Sequence, residues 1–172
     1  SLNSLLDKTK EDTTRIKILN ELCLLCNIED NLIYGQQLAD LTKTLIEKES
    51  DEKELKKFLR FHVDGLIFTK IYYTKFEGVT SVKRLEIYDE ILTISKKYNY
   101  AHGISYSLYS KADYYGATGN YVNLISSLKM GLRLMEELNE KEDMAKFIAK
   151  LGFAHIEIGD TLTSIDYMNK GL

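Results

Sequence analysis

Residues 148–172, IAKLGFAHIEIGDTLTSIDYMNKGL, decide the fold. Ile148, Leu151, Gly152 and His155 stand at i, i+3, i+4 and i+7, the spacing that lines one face of an α-helix. Gly159-Asp160 then breaks the pattern. A second helical stripe follows in Ser164, Ile165, Met168, Gly171 and Leu172. The stretch therefore reads as helix, turn, helix.

Moving back by 40 residues finds the same unit. Gly119-Asn120 stands under Gly159-Asp160, Gly131-Leu132 under Gly171-Leu172, and Leu128 under Met168. A further 40 residues back, Leu85, Tyr88 and Leu92 stand under Ile125, Leu128 and Leu132. The middle copy is carried by Leu108, Ala112 and Tyr115, then by Leu124, Ile125, Leu128 and Leu132. In the copy before it, Leu85, Tyr88, Ile91, Leu92 and Ile94 mark the second helix. Its first helix runs over 52–77, with Phe61, Ile67, Phe68, Ile71 and Tyr72 expected on the apolar side. The first pair places Leu19, Leu22, Cys23 and Cys26 on one helix, and Gly35, Leu38, Ala39, Leu45 and Ile46 on the next. A short lead-in helix is expected around Leu2 to Asp7. The pattern predicts one all-α domain of four hairpins, over 12–49, 52–98, 101–138 and 140–172. Small residues (Ala112, Gly131, Gly152, Gly171) fall where helices would cross. A glycine inside a helix costs about 1 kcal/mol relative to alanine, so its repeated use implies close approach.

Composition agrees. The chain has 172 residues, 44% hydrophobic and 28% charged, too apolar for disorder, and it contains no proline, which a domain of many tight turns would use. A net charge of -3 builds in no attraction to phosphate backbones, so nucleic acid is not an expected partner. Apolar runs fall far short of the roughly 18 residues that span a bilayer, so this segment is not expected to insert in a membrane.

Ile148, Leu151, Gly152, His155, Gly159, Asp160, Ser164 and Gly171 make the chain resemble the tetratricopeptide repeat family. The resemblance implies a right-handed α-solenoid whose first helices line a concave peptide-binding groove. This chain departs from the pattern in lacking the closing proline, in placing Lys111 in a usual leucine slot, and in its 40-residue period. Leu5-Leu6 and the stretch EDTTRIKILNEL at 11–22 resemble the start of the repeat-bearing regulatory region in Bacteroidetes-type signalling proteins. That resemblance implies a bacterial parent carrying a histidine kinase or nucleotide cyclase, with this segment cytoplasmic or periplasmic. A peptide-pheromone receptor or a stand-alone scaffold is the alternative. The ending at Leu172, partway along a helix, reads as that of a fragment of a longer chain, with self-association expected at the uncapped end.

Little in the chain reads as chemistry. Cys23-Leu24-Leu25-Cys26 lacks the two further ligands that zinc needs and falls on an apolar stripe, mid-helix. Core packing is its expected role. His62, His102 and His155 share no ligand spacing, and His155 is expected to be a hydrogen-bonded core residue. Gly116 to Asn120 lacks the ending of a phosphate loop. The mixed charges of Glu47 to Lys57 read as a solvated junction. No catalytic residue, cofactor or metal is expected.

Tyrosine is what stands out: 12 in all, twice the phenylalanines. Projected at 100° per residue, Tyr106, Tyr109 and Asp113 lie opposite the packing stripe of their helix. The resemblance puts that face in the groove. The matching positions are Leu66, Thr69, Tyr73 and Phe76 in the second copy, Lys146, Ala149, Phe153 and Ile156 in the fourth, and Lys17, Asn20, Leu24 and Asn27 in the first. Aromatic side chains with a few charges suit a protein or peptide ligand, since tyrosine offers a large contact area at small entropy cost. The sequence thus reads as a non-catalytic interaction domain, regulatory or sensory in a signalling protein.

Overall fold

The computed structural model describes residues 2–170. Among them every regular element is helical: α1 Leu2–Lys8, α2 Asp12–Leu25, α3 Asn31–Ile46, α4 Glu52–Glu77, α5 Val82–Lys97, α6 Ala101–Ala117, α7 Tyr121–Glu137, α8 Lys141–Glu157 and α9 Thr161–Lys170. A short 3-10 turn, Ile28–Asp30, leads into α3. The chain is all-α, of the helical-hairpin solenoid class. The roles expected of Gly171 and Leu172, and of the chain end as a self-association surface, lie outside the described residues.

The 40-residue period has a simple origin. Helices α6, α7 and α8 are each 17 residues long, and three-residue turns join them to one another and to α9. Each turn closes with the amide of a residue bonded to the carbonyl five residues back: Tyr100 to Ser95, Asn120 to Tyr115, Glu140 to Met135 and Asp160 to His155, all at 2.8–2.9 Å. This terminating bond needs a left-handed residue just before it. Gly119 and Gly159 supply it within hairpins, at φ 71 and 80, while Asn99 and Asn139 supply it between hairpins, at φ 51 and 59. Asn120 and Asp160 then cap the following helices, accepting from the amides of Asn123 and Thr163.

Two compact units divide the chain, Ser1–Ile87 and Tyr88–Leu172. In the first, α3 packs on both α2 and α4. Its core holds Ile16, Leu19, Leu38, Ile46, Leu59 and Leu66, all nearly solvent-free. His62 is buried there too, its Nδ1 2.9 Å from the Ala39 carbonyl oxygen. Here α3 and α4 cross through two glycines. A Cβ on Gly65 would stand 2.8 Å from the Gly35 carbonyl oxygen, and one on Gly35 would stand 2.7 Å from that of Gly65.

This crossing corrects the expected face of α4. Phe58, Leu59, His62, Val63, Gly65, Leu66 and Thr69 are the buried positions, whereas Phe61, Ile67, Phe68, Ile71 and Tyr72 are only half-buried. The small residues that let the backbones meet set the phase, not the larger apolar side chains on either flank. The cysteines need a second correction. Cys23 is buried on α2, but Cys26 is the C-cap of that helix and half-exposed, its thiol 3.3 Å from Asn31 Oδ1. Burial pushes the Cys23 thiol up to about 12, and burial raises Cys26 also. A helix C-terminus further disfavours a thiolate.

In the second unit α6, α7, α8 and α9 each pack on the next. The core is Ile104, Leu108, Ala112, Leu124, Leu128, Met135, Phe147, Leu151 and Ala154. Phe147, which the Ile148–Leu151–His155 stripe leaves out, is fully buried because its ring fills the space that Gly131 leaves open. Lys111, in the leucine slot, reaches Asp89 on α5 at 2.5 Å, and Ser107 donates to the Tyr88 carbonyl. His155 is buried, bonded through Nδ1 to Asp160 Oδ2 at 3.1 Å and stacked on Tyr167.

Candidate functional site

Within the second unit α6 and α8 present facing stripes. From α6 come His102, Tyr106, Tyr109 and Asp113; from α8 come Lys146, Ala149, Lys150 and Phe153. The spacing of three and four residues follows from the helical repeat, so each stripe occupies one face. Between them run two adjoining cavities, of about 440 and 280 Å³, which share Tyr109 and Lys146. Phe153, 61% exposed, stands beside the larger cavity.

Tyr109 is the hinge of this surface. Its ring meets buried Phe147 edge to face, centroids 5.9 Å apart, which anchors it to the core. Over its ring sits the Lys150 ammonium, 3.9 Å from the centroid, and the same ammonium is ion-paired with Asp113. Stacking a lysine on a π face and a carboxylate at once fixes an otherwise mobile chain. Lys146 is held by Asp143 at 2.9 Å and Glu142 at 3.3 Å. Hydrogen bonds to Asp143 and then Glu142 keep its ammonium above the usual lysine range. Tyr106 lines the smaller cavity, its ring edge-on to Tyr88 with centroids 6.3 Å apart.

Of the residues expected in a groove, the structure brings Tyr106, Tyr109, Lys146 and Phe153 together, with Asp113 beside them holding Lys150. Tyr73 and Phe76 belong to the first unit, where both pack on Tyr72, at 5.4 and 4.7 Å between ring centroids. Thr69 is misplaced by the sequence reading. It is buried at the α3–α4 crossing, donates to the Gly65 carbonyl at 3.0 Å, and would meet any side chain grown at Gly35. It shares its helical face with Gly65 and buried Leu66, so the corrected phase of α4 removes both Thr69 and Leu66 from any groove. Lys150 was not anticipated. Its signal was available: it lies one turn after Lys146, beside Ala149 on the same stripe.

Among the described residues no group of three or more His, Cys, Asp or Glu side chains is arranged to hold a metal ion. No described helix is long and apolar enough to cross a membrane.

Helical hairpins with a cavity between successive first helices define the class: a tetratricopeptide-like repeat fold. No protein-family model and no curated protein matches the chain. Among solved structures, the chain is similar to the one titled "Crystal Structure of the Apo Form of RapI", with a TM-score of 0.56 at 14% identity over 94% of this chain. This chain spans 63% of the length of that one. The likeness is one of fold.

Proposed function

We propose that this chain is a non-catalytic binding domain that takes a protein or peptide ligand in the α6–α8 cavity of its second unit. One observation carries the reading: an exposed phenylalanine, Phe153, beside a cavity walled by Tyr109 and two lysines. Leaving a large aromatic in water is unfavourable, and aromatic side chains next to a cavity are the usual anchors of an interface. A ligand would lay an apolar side chain on Phe153 and Tyr109 and use the charged rim of Lys146, Lys150 and Asp113 for orientation. The wider proposal, drawn from the resemblance of the opening stretch, is that such binding regulates the output module of a bacterial signalling protein.

The binding reading is tested by panning a displayed random-peptide library on the intact chain and measuring recovered peptides against Phe153→Ala and Lys150→Ala. Phe153→Ala should weaken them about thirtyfold, a loss of roughly 2 kcal/mol, with melting unchanged. Recovered peptides that bind the variants as tightly as the parent would overturn it.

A further inference from the structure

The cavity surface already holds a cation. The Lys150 ammonium lies 3.9 Å from the centroid of the Tyr109 ring and is ion-paired with Asp113, so a π face and a carboxylate converge on one positive charge. Both parts of this seat come from α6, four residues apart, and Lys150 reaches them from α8. Tyr109, Lys150 and Phe153 line the larger cavity together. The seat therefore adjoins the exposed apolar anchor of the surface.

The seat is built without the lysine. Tyr109 is fixed by Phe147, at 5.9 Å between ring centroids, and α6 and α8 are each packed on α7. Lys150 itself is held loosely, because the Asp113 side chain is 53% exposed and an ion pair with so wet a carboxylate contributes little. What the lysine does is lay its stem and ammonium over a ring that would otherwise widen the apolar patch beside Phe153.

Charge around the cavities points the same way. Asp113, Glu142, Asp143 and Glu157 stand against Lys146 and Lys150, four carboxylates to two ammonium groups. Glu142 and Asp143 share Lys146, and among the described residues Glu157 has no ion pair. The surface keeps an excess of negative charge even with both lysines in place, so it favours a cationic guest over an anionic one.

We infer that Lys150 is an internal stand-in for a basic side chain of the ligand: an arginine of the bound peptide displaces the Lys150 ammonium from Tyr109 and Asp113, while a neighbouring apolar side chain covers Phe153. Arginine fits this seat better than the lysine it replaces. A planar guanidinium stacks on a ring and donates two parallel bonds to a carboxylate, whereas an ammonium meets both as a point charge. The released ammonium returns to water on its flexible stem. The inference rests on the binding reading above and refines it: Asp113 orients the ligand, and Lys150 keeps the seat filled until the ligand arrives.

The test uses the peptides recovered from the displayed library on the intact chain. They should be enriched in arginine beside an apolar residue, and exchanging that arginine for glutamine should weaken them about tenfold. Asp113→Asn should weaken the arginine peptides by about the same factor and leave their glutamine versions unchanged. Lys150→Gln removes the internal competitor, so it should tighten the arginine peptides about threefold or more with melting unchanged. Phe153→Ala separates the two claims. Peptides indifferent to that change overturn the cavity reading and this inference together. Peptides that need Phe153 but carry no arginine, or that bind Lys150→Gln no more tightly than the parent, overturn the displacement alone. A lowered melting temperature of Lys150→Gln without tighter binding would make Lys150 a tie between α6 and α8, and overturns it as well.

Discussion

The α3–α4 crossing of the first unit and the α7–α8 crossing of the second both depend on glycine inside a helix, for opposite reasons. Gly35 and Gly65 bring two backbones together, each glycine facing the other's carbonyl. Gly131 instead opens a hollow that the Phe147 ring enters. In the first unit the absent side chain is replaced by main chain, in the second by another side chain. A packed interior responds differently to the two, since main chain cannot yield without moving a helix and a ring can be traded for a smaller group.

The largest expected effect is at the ring. Phe147→Ala empties a fully buried site and should cost about 3 to 5 kcal/mol in denaturant titration. Next come Gly65→Ala and Gly131→Ala, each expected to cost roughly 1 to 3 kcal/mol by overpacking. The comparison breaks or holds on rescue. Phe147→Leu should recover part of the Gly131→Ala loss in a double-mutant cycle. No side-chain trimming in the first unit should recover the Gly65→Ala loss, because the obstacle there is the Gly35 carbonyl and the Ala39 amide. Full additivity for Gly131 and Phe147 would mean that the hollow is not theirs.

Gly152 should be milder still. A Cβ there would meet Met168 Cγ at 3.2 Å, the flexible part of a long side chain. Gly152→Ala should therefore lie between neutral and about 1 kcal/mol stabilising, from helix propensity alone. The smallest effect concerns acid. The Thr163 hydroxyl, the Thr163 amide and then His155 hold the Asp160 carboxyl below its ordinary pKa. A depressed carboxylate contributes stability that is present above its unfolded pKa and lost as pH falls through the folded value. Asp160→Asn should keep the cap, as Asn120 does one repeat earlier, leave the midpoint at neutral pH nearly unchanged, and flatten the acid limb. Melting curves from neutral pH down to about pH 3 would show it.

How much of this was legible follows from the same contrast. Gly119-Asn120 and Gly159-Asp160 announced their turns, because a left-handed residue followed by a cap is local chemistry written in adjacent letters. Asn99 and Asn139, also 40 apart, do the same work between hairpins, yet asparagine is ambiguous where glycine is not. The phase of α4 failed for a non-local reason. What decides it is Gly35 on another helix, and nothing within 52–77 says that Gly65 has a glycine facing it. The cavity-lining positions Tyr106 and Tyr109 on α6 and Lys146 and Phe153 on α8 were readable because Leu108 and Ala112, and Leu151, fix the core-facing side of each helix. Thr69 was lost with the phase of its helix, and Lys150 was missed because its value lies in reaching Tyr109 and Asp113, 41 and 37 residues away.

The two thiols of α2 give the chain a built-in clock. Cys26, at the helix end, is partly exposed and the more accessible of the two, whereas Cys23 is sealed in the interior with its thiol held up to about 12. At neutral pH the second modification can proceed only while α2 stands away from its neighbours. The interval between the two labels therefore measures how often the first hairpin breathes, in molecules whose second unit is untouched.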